Sequence, residues 1–182
     1  MKTRRVLLLS LMVFALMFSL VGQNQIANPY FEDWTNGVPD DWSVDNLVNA
    51  AEETTIVYAG SKSLGWNSTG TVNRTMISAA WTPAEATSCD YFAYVYVPSA
   101  AGDQGAANMQ TYLFGGSGSN SGYTDLNDFV ADEWTKVGRD EINVNAESTT
   151  LRIRSRGADA TMYVDYAFLG ASGTAIEDWN LY

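Results

Sequence analysis

Histidine is missing from all 182 residues. Its absence removes the usual general base near neutral pH, the Ser-His-Asp and Cys-His nucleophile arrangements, and the commonest zinc ligand. Cysteine is almost as scarce. Cys89 stands alone, so there is no intramolecular disulfide and no thiolate cluster for zinc. Positive charge is the third deficit, with ten Lys and Arg against 21 Asp and Glu. Three of those ten, Lys2, Arg4 and Arg5, sit in the first five residues. Without them seven bases face 21 acids, a balance of about −14. Phosphate backbones need a basic surface, so nucleic acid is excluded as a partner. The acidic balance serves solubility and suits a calcium-rich external medium and neutral ligands.

Long apolar runs are also lacking, apart from one. Val6 to Val21 is almost wholly apolar and follows the basic start Met1-Lys2-Thr3-Arg4-Arg5. That run is shorter than the roughly 20 residues a spanning helix needs. A basic start, an apolar stretch and the small residue Gly22 read as a secretory signal peptide over 1–22, cleaved to leave Gln23. The alternative is an uncleaved anchor. With cleavage, no stable membrane insertion is expected, and the product is secreted or held at the cell surface.

What remains is rich in Val, Ile, Thr, Tyr and Trp, in short runs separated by Gly, Asn, Asp and Ser clusters. This is a strand-and-turn pattern, and helical spacing is hard to find. Strands are predicted near Trp42–Val44, Glu53–Tyr58, Ser63–Asn67, Arg74–Ser78, Tyr91–Val97, Met109–Phe114, Thr135–Asp140, Thr149–Ser155 and Thr161–Leu169. Nine short strands imply an all-β fold, a jelly-roll β-sandwich of two antiparallel sheets, over 23–172, with a tail over 173–182. The Gly/Ser-rich stretch "GGSGSNSGYTDLND" lacks the Lys-Ser/Thr of a phosphate cradle. It reads as a hairpin tip, or as a loop at the edge of a ligand site.

Side chains on a strand alternate by two, so each strand sorts its residues onto two faces. In "CDYFAYVYV", Tyr91, Ala93, Val95 and Val97 share one face and Asp90, Phe92, Tyr94 and Tyr96 the other. The aliphatic set suits a core, which turns the aromatic stripe outward. In "NMQTYLF", Gln110 and Tyr112 oppose Met109 and Leu113. In "TTLRIRSR", Thr150, Arg152 and Arg154 oppose Leu151 and Ile153. The expected sum is one sheet face carrying Tyr94, Tyr96, Tyr112, Gln110, Arg152 and Arg154. Such a face suits carbohydrate: sugar C–H surfaces stack on aromatic planes, and hydroxyls meet fixed planar donors and acceptors. The competing reading is half-buried tyrosines with wet hydroxyls.

The stretch "NPYFEDWTNGVPDDWS" resembles the opening of CenC-type carbohydrate-binding modules, which are galactose-binding-domain-like jelly rolls. "YAGSKSLGWNSTG" resembles their small-residue turn before a core strand, "ADEWTKVG" their Trp-centred strand, and "ATMYVDYAFLG" their closing strand with its central Asp. These landmarks run in order from Asn28 to about Gly170. The resemblance extends to modules of secreted bacterial proteins. It implies a structural Ca2+ flanked by the Glu of Phe-Glu and the Asp of the closing strand, here Glu32 and Asp165, with carbonyls of the turn around Gly60 to Ser63 completing the shell. Calcium wants six to eight oxygens, and a carboxylate inside "MYVDYAFL" is costly unless paired or metal-bound. Trp42, Leu64, Trp66 and Trp134 fall where core residues sit in such sandwiches, while Trp34 and Trp81 suit either a plug or an exposed platform.

The expected function is that of a secreted, non-catalytic module that binds a polysaccharide or glycan. The alternative is a structural or adhesive surface subunit, self-assembling or bound to a cell-surface partner, with the same fold. A small lyase or hydrolase is a third class. Its candidate acid pairs, Asp40/Asp41 and Asp140/Glu141, are sequence neighbours whose side chains diverge, and they suit a solvated rim better than catalysis.

Overall fold

The computed structural model describes residues 23–44, 50–68, 73–101, 109–115, 121–126, 128–155 and 160–173. The expected signal peptide 1–22 and the tail beyond 173 lie outside the described residues. Among the described residues there are twelve strands: β1 Trp34–Thr35, β2 Val38–Pro39, β3 Trp42–Val44, β4 Ala50–Glu53, β5 Ser63–Ser68, β6 Arg74–Ser78, β7 Thr87–Tyr96, β8 Met109–Gly115, β9 Thr124–Asp125, β10 Trp134–Val144, β11 Thr149–Ser155 and β12 Ala160–Ala171. Ten of them form two five-stranded antiparallel sheets, in the orders β10-β7-β12-β5-β4 and β3-β6-β11-β8-β9. The first is called the back sheet and the second the front sheet below. β1 and β2 pair separately, joined through Asn36 and Gly37 at φ 53° and 78°. Two successive positive φ values match the twist of a tight hairpin, and Asn-Gly is the pair that tolerates them.

The expected strand over Glu53–Tyr58 is shifted. The strand ends at Glu53, whose Oε1 accepts the N–H groups of Thr54, Thr55 and Ile56 at 2.9, 2.5 and 3.3 Å. One carboxylate taking three successive amides turns the backbone out of the ladder, although Thr-Thr-Ile-Val-Tyr is a strand-prone run.

The core lies between the sheets. Cys89, Tyr91, Ala93, Val95, Val164, Ala167 and Leu169 of the back sheet are buried there with Met76, Met109, Leu113, Leu151 and Ile153 of the front sheet. The two faces of β7 are therefore those expected from its alternation. Trp42, Leu64 and Trp66 join this core as expected. Trp134 does not: it is half-buried on the outer face of the back sheet. Trp34 and Trp81 are partly buried against the core, as plugs. Cys89 is wholly buried, and desolvation, with the charge of Asp90 beside it, pushes its thiol up to about 12. It is inert at neutral pH.

Two bulges shape the back sheet. The first interrupts β10 between Arg139 and Ile142, with Glu141 at φ 57°. Buried Asp90 closes it: Oδ1 accepts the Glu141 N–H and Oδ2 the Gly173 N–H, both at 2.8 Å. Desolvation pushes this carboxyl up, but those two N–H groups, the Ser172 hydroxyl and the Lys136 charge together hold it below the ordinary value. Its contribution to stability is present above the ordinary Asp value and is lost as pH falls through the lower folded value. Asp90→Asn replaces one acceptor by a donor facing an amide. It is expected to cost about 1–3 kcal/mol in chemical denaturation; an unchanged midpoint would show that the clamp contributes nothing.

The second bulge falls between Asp165 and Ala167 of β12. Tyr166 sits there at φ 38°, so Asp165 and Tyr166 both reach the outer face of the back sheet. The N-terminal segment covers that face. Pro29 O accepts the Ala167 N–H at 2.8 Å, Gln25 N–H donates to Leu169 O at 2.7 Å, and Tyr30 stacks on Tyr166 at 4.7 Å. Phe31, the next residue, turns the other way into the core against Trp42.

Candidate functional site

The expected single face of six residues is divided between two sheets. β7 belongs to the back sheet and β8 and β11 to the front sheet. Tyr94 and Tyr96 therefore look away from Gln110, Tyr112, Arg152 and Arg154, on opposite outer surfaces of the sandwich. Alternation gives a residue's face within its strand, but not which sheet that strand joins.

On the back sheet Tyr94 is 5% exposed. Tyr58 stacks over it at 4.0 Å and Tyr166 lies beside it at 6.3 Å. Phe92, Tyr94, Tyr166 and Phe168 form a second apolar cluster, closed by Tyr30, Tyr58 and Trp134. The expectation of a solvent-facing Tyr94 fails because the N-terminal segment and the turn after β4 bring their own rings onto this face. Tyr96 is half-buried, packed against Trp134 and Tyr163, and its hydroxyl donates to Asp132 at 3.3 Å.

The front sheet keeps its four residues together. The register sets Arg152 opposite Tyr112 and Arg154 opposite Gln110. Arg154 Nη2 donates to Gln110 Oε1, and Gln110 Nε2 donates to Asp125 of β9. The amide is thereby fixed in one orientation. The Arg154 guanidinium lies 4.3 Å from the ring centre of Tyr123 and 5.4 Å from that of Tyr112, while Arg152 lies 3.8 Å over Phe114. Tyr123 meets Tyr112 edge to face at 4.9 Å.

Depth separates these groups into two layers. Gln110 and Tyr112 are buried. Arg152, Arg154 and Phe114 are half-buried, and Tyr123 is 46% exposed. The buried pair positions; the upper layer meets solvent. Tyr123 was not singled out in the sequence. Its signal was its place at the end of the Gly/Ser-rich loop, immediately before β9.

Glu32 and Asp165 meet at the turn that follows β4. Asp165 is 0% exposed. Its Oδ2 accepts the N–H groups of Tyr58 and Ala59 at 2.8 and 3.1 Å, and its Oδ1 the Tyr166 N–H at 2.6 Å. Glu32 Oε1 accepts the N–H groups of Ser61 and Lys62, and Oε2 the Ser61 hydroxyl. Gly60, at φ 82°, lies so close that a Cβ there would sit 2.0 Å from Glu32 Oε1. Desolvation, and the nearby charge of Glu32, push the Asp165 carboxyl up to about 7 against its three amide donors. Partial desolvation raises Glu32 too, but Ser61 and Lys62 outweigh it and hold Glu32 below the ordinary value. Among the described residues no basic side chain forms an ion pair with Asp165, and no group of three or more Asp, Glu, Cys or His gathers at one point. Of the acid pairs, Asp41, Asp140 and Glu141 are exposed and Asp40 half-buried.

No family model matches the sequence, and no curated protein matches it. Solved structures share the fold. TmCBM61 in complex with β-1,4-galactotriose is similar at a TM-score of 0.60 and 13% identity, over 82% of this chain and 99% of that one. The CBM22-1 xylan-binding domain of Paenibacillus barcinonensis Xyn10C is similar at 0.59 and 17%, over 85% and 98%. An arabinose-bound α-L-arabinofuranosidase, MgGH51, is similar at 0.58 and 12%, over 82% of this chain but 26% of the enzyme. At these identities the likeness establishes the β-sandwich fold.

Proposed function

We propose that this chain is a non-catalytic carbohydrate-binding module whose ligand lies across the front sheet, over Tyr123, Arg152 and Arg154. The carrying observation is the exposed Tyr123 ring, set edge-on to Tyr112 and covered in part by the Arg154 guanidinium. An aromatic plane beside fixed planar donors offers stacking to a sugar face and hydrogen bonds to its hydroxyls, with little side-chain entropy left to lose. Two of the similar folds named above are carbohydrate-binding domains, which supports this reading. Among the described residues the large hydrophobics left exposed are Tyr123 and Val130. So small an apolar surface favours a ligand over a packed protein interface. Export is part of the proposal, supported by the leader-like start.

We also propose that Glu32 and Asp165 hold a structural calcium. The donor set fits a hard cation. Two carboxylates and the Ser61 hydroxyl meet at one turn, each carboxylate takes three donors, and an ionised carboxylate has about four lone-pair sites. Turn carbonyls around Gly60 to Ser63 would complete the shell. The ion would neutralise Asp165 and pin the turn that carries Tyr58.

The test of ligand binding is affinity electrophoresis on galactan, xylan and glucomannan beside thermal melts. Tyr123→Ala is expected to lose about thirtyfold in affinity, about 2 kcal/mol, because truncating an aromatic anchor removes its contact area. The melt falls little because the ring is 46% exposed and lies outside both apolar clusters. A wild-type chain that binds no glycan, or a Tyr123→Ala variant that binds as well as wild type, would sink this site.

A further inference from the structure

We infer that the front face selects glycans carrying carboxylate groups, that is, uronate sugars. This inference rests on the sugar-binding reading of that face and narrows its ligand class. The observation is an imbalance of charge. Acids outnumber bases 21 to ten, yet Arg152 and Arg154 stand together on one sheet face and neither has a carboxylate partner among the described residues. Among the described residues the ion pairing comes down to Lys62 with Glu52 at 3.4 Å. In a chain with such an excess of carboxylates, two arginines without an acid partner among the described residues are a local reversal of the overall field. The net charge suggests neutral ligands; this face argues the opposite.

The geometry suits a planar anion. Both guanidiniums lie over aromatic rings, Arg152 over Phe114 and Arg154 over Tyr123 and Tyr112, which restrains their planes. Each has five N–H donors. Arg154 gives one to Gln110 Oε1, and Arg152 gives one, at 3.4 Å, to Thr150 Oγ1. Apart from the Arg154 Nε, which is buried, the rest remain for a ligand. The one acid opposite Gln110, Asp125, is already engaged by the Gln110 amide. A fork of parallel N–H donors matches carboxylate bidentately, and such charge-assisted bonds are about twice as strong as neutral ones. Two residues along a strand place the arginines roughly 6.6 Å apart, so a chain of sugars bearing carboxylates can meet both. Beyond a Debye length of about 8 Å the rest of the acidic surface is screened at physiological salt, and the local pair dominates.

The experiment is titration calorimetry of the full chain with oligogalacturonates and with the same oligomers methyl-esterified, which keeps the sugar and masks the charge. The acid form is expected to bind at least about tenfold more tightly, with the gap closing as salt rises. Arg154→Gln and Arg152→Gln should each erase most of that gap, weakening the acid form far more than the methyl esters. Arg152→Gln is the safer variant, since its side chain makes one long hydrogen bond. Equal affinity for acid and ester would overturn the inference and leave sugar binding standing. So would binding to galactan or xylan, lost in Tyr123→Ala, in a protein indifferent to both oligogalacturonate forms. No binding to any of these glycans would overturn both readings.

Discussion

Tyr94→Ala is expected to cost the fold about 3–5 kcal/mol and to leave glycan affinity unchanged in whatever protein still folds. Tyr94 looks like a ligand platform in the sequence, but its ring is sandwiched. Tyr58 stacks on one side at 4.0 Å, Tyr166 lies at 6.3 Å, and Phe92 meets it edge-on at 5.9 Å. Removing it opens a cavity under Tyr58 of the turn after β4 and beside Tyr166, on which Tyr30 of the N-terminal segment stacks. For a domain of this size 1 kcal/mol moves the melting temperature by roughly 2–4 °C, so a fall of about 10 °C is expected. Tyr94→Phe keeps the ring and most of the stability. A Tyr94→Ala protein that melts like wild type but no longer binds glycan would mean that the back sheet is the open platform and the front sheet is not.

Chelation is expected to give the second large effect. A ligand that binds only the folded state stabilises it by about 2.7 kcal/mol at 100 times its Kd. Adding excess chelator to calcium-loaded protein should therefore lower the melting temperature by about 5–10 °C. The size of the shift should depend on pH, and Asp165 sets the sign. Without metal its folded value of about 7 exceeds the ordinary 3.8. Between those values the folded state holds a proton that the unfolded chain has lost, so metal-free stability falls as pH rises from about 4 to 7 and then levels. Calcium binds the ionised form. Its stabilisation should be small at pH 5 and full at pH 8. Glu32 is held below its ordinary value, so any slope it adds is of opposite sign and confined to the acid end of this range. Asp165→Asn should remove both the calcium response and the slope. A melt that is identical in calcium and in chelator at pH 8, on protein shown free of metal, would sink the site. The same is true of a wild type and an Asp165→Asn variant that respond alike.

The strands were legible because their signals are local. Arg74–Ser78 and Thr149–Ser155 begin and end where β-branched runs meet polar turns, and the structure keeps those limits. The alternation of β7, β8 and β11 was legible for the same reason, since a strand's two faces are set by the chain itself. Glu53–Tyr58 was misread because a side chain, not a backbone preference, ends that strand. Tyr123 went unnoticed because a single tyrosine after a glycine-rich loop has no periodicity to mark it.

The sequence by itself determined the class of fold and the two faces of β7, β8 and β11, and its resemblance to a known family set Glu32 beside Asp165 as an expectation. Each of these rests on spacing or on ordered landmarks along one chain. Only the tertiary structure decided which strands share a sheet, and so which faces combine. Tyr94 and Tyr112 both alternate outward from the core, yet β7 pairs with β10 and β12 while β8 pairs with β11 and β9. Tertiary packing also decided that Tyr30 and Tyr58, distant in sequence, roof the back sheet, while the front sheet keeps Tyr123 in solvent. The physical reason is that hydrogen-bond pairing and burial join residues far apart in the chain, and neither leaves a mark within the strand it places.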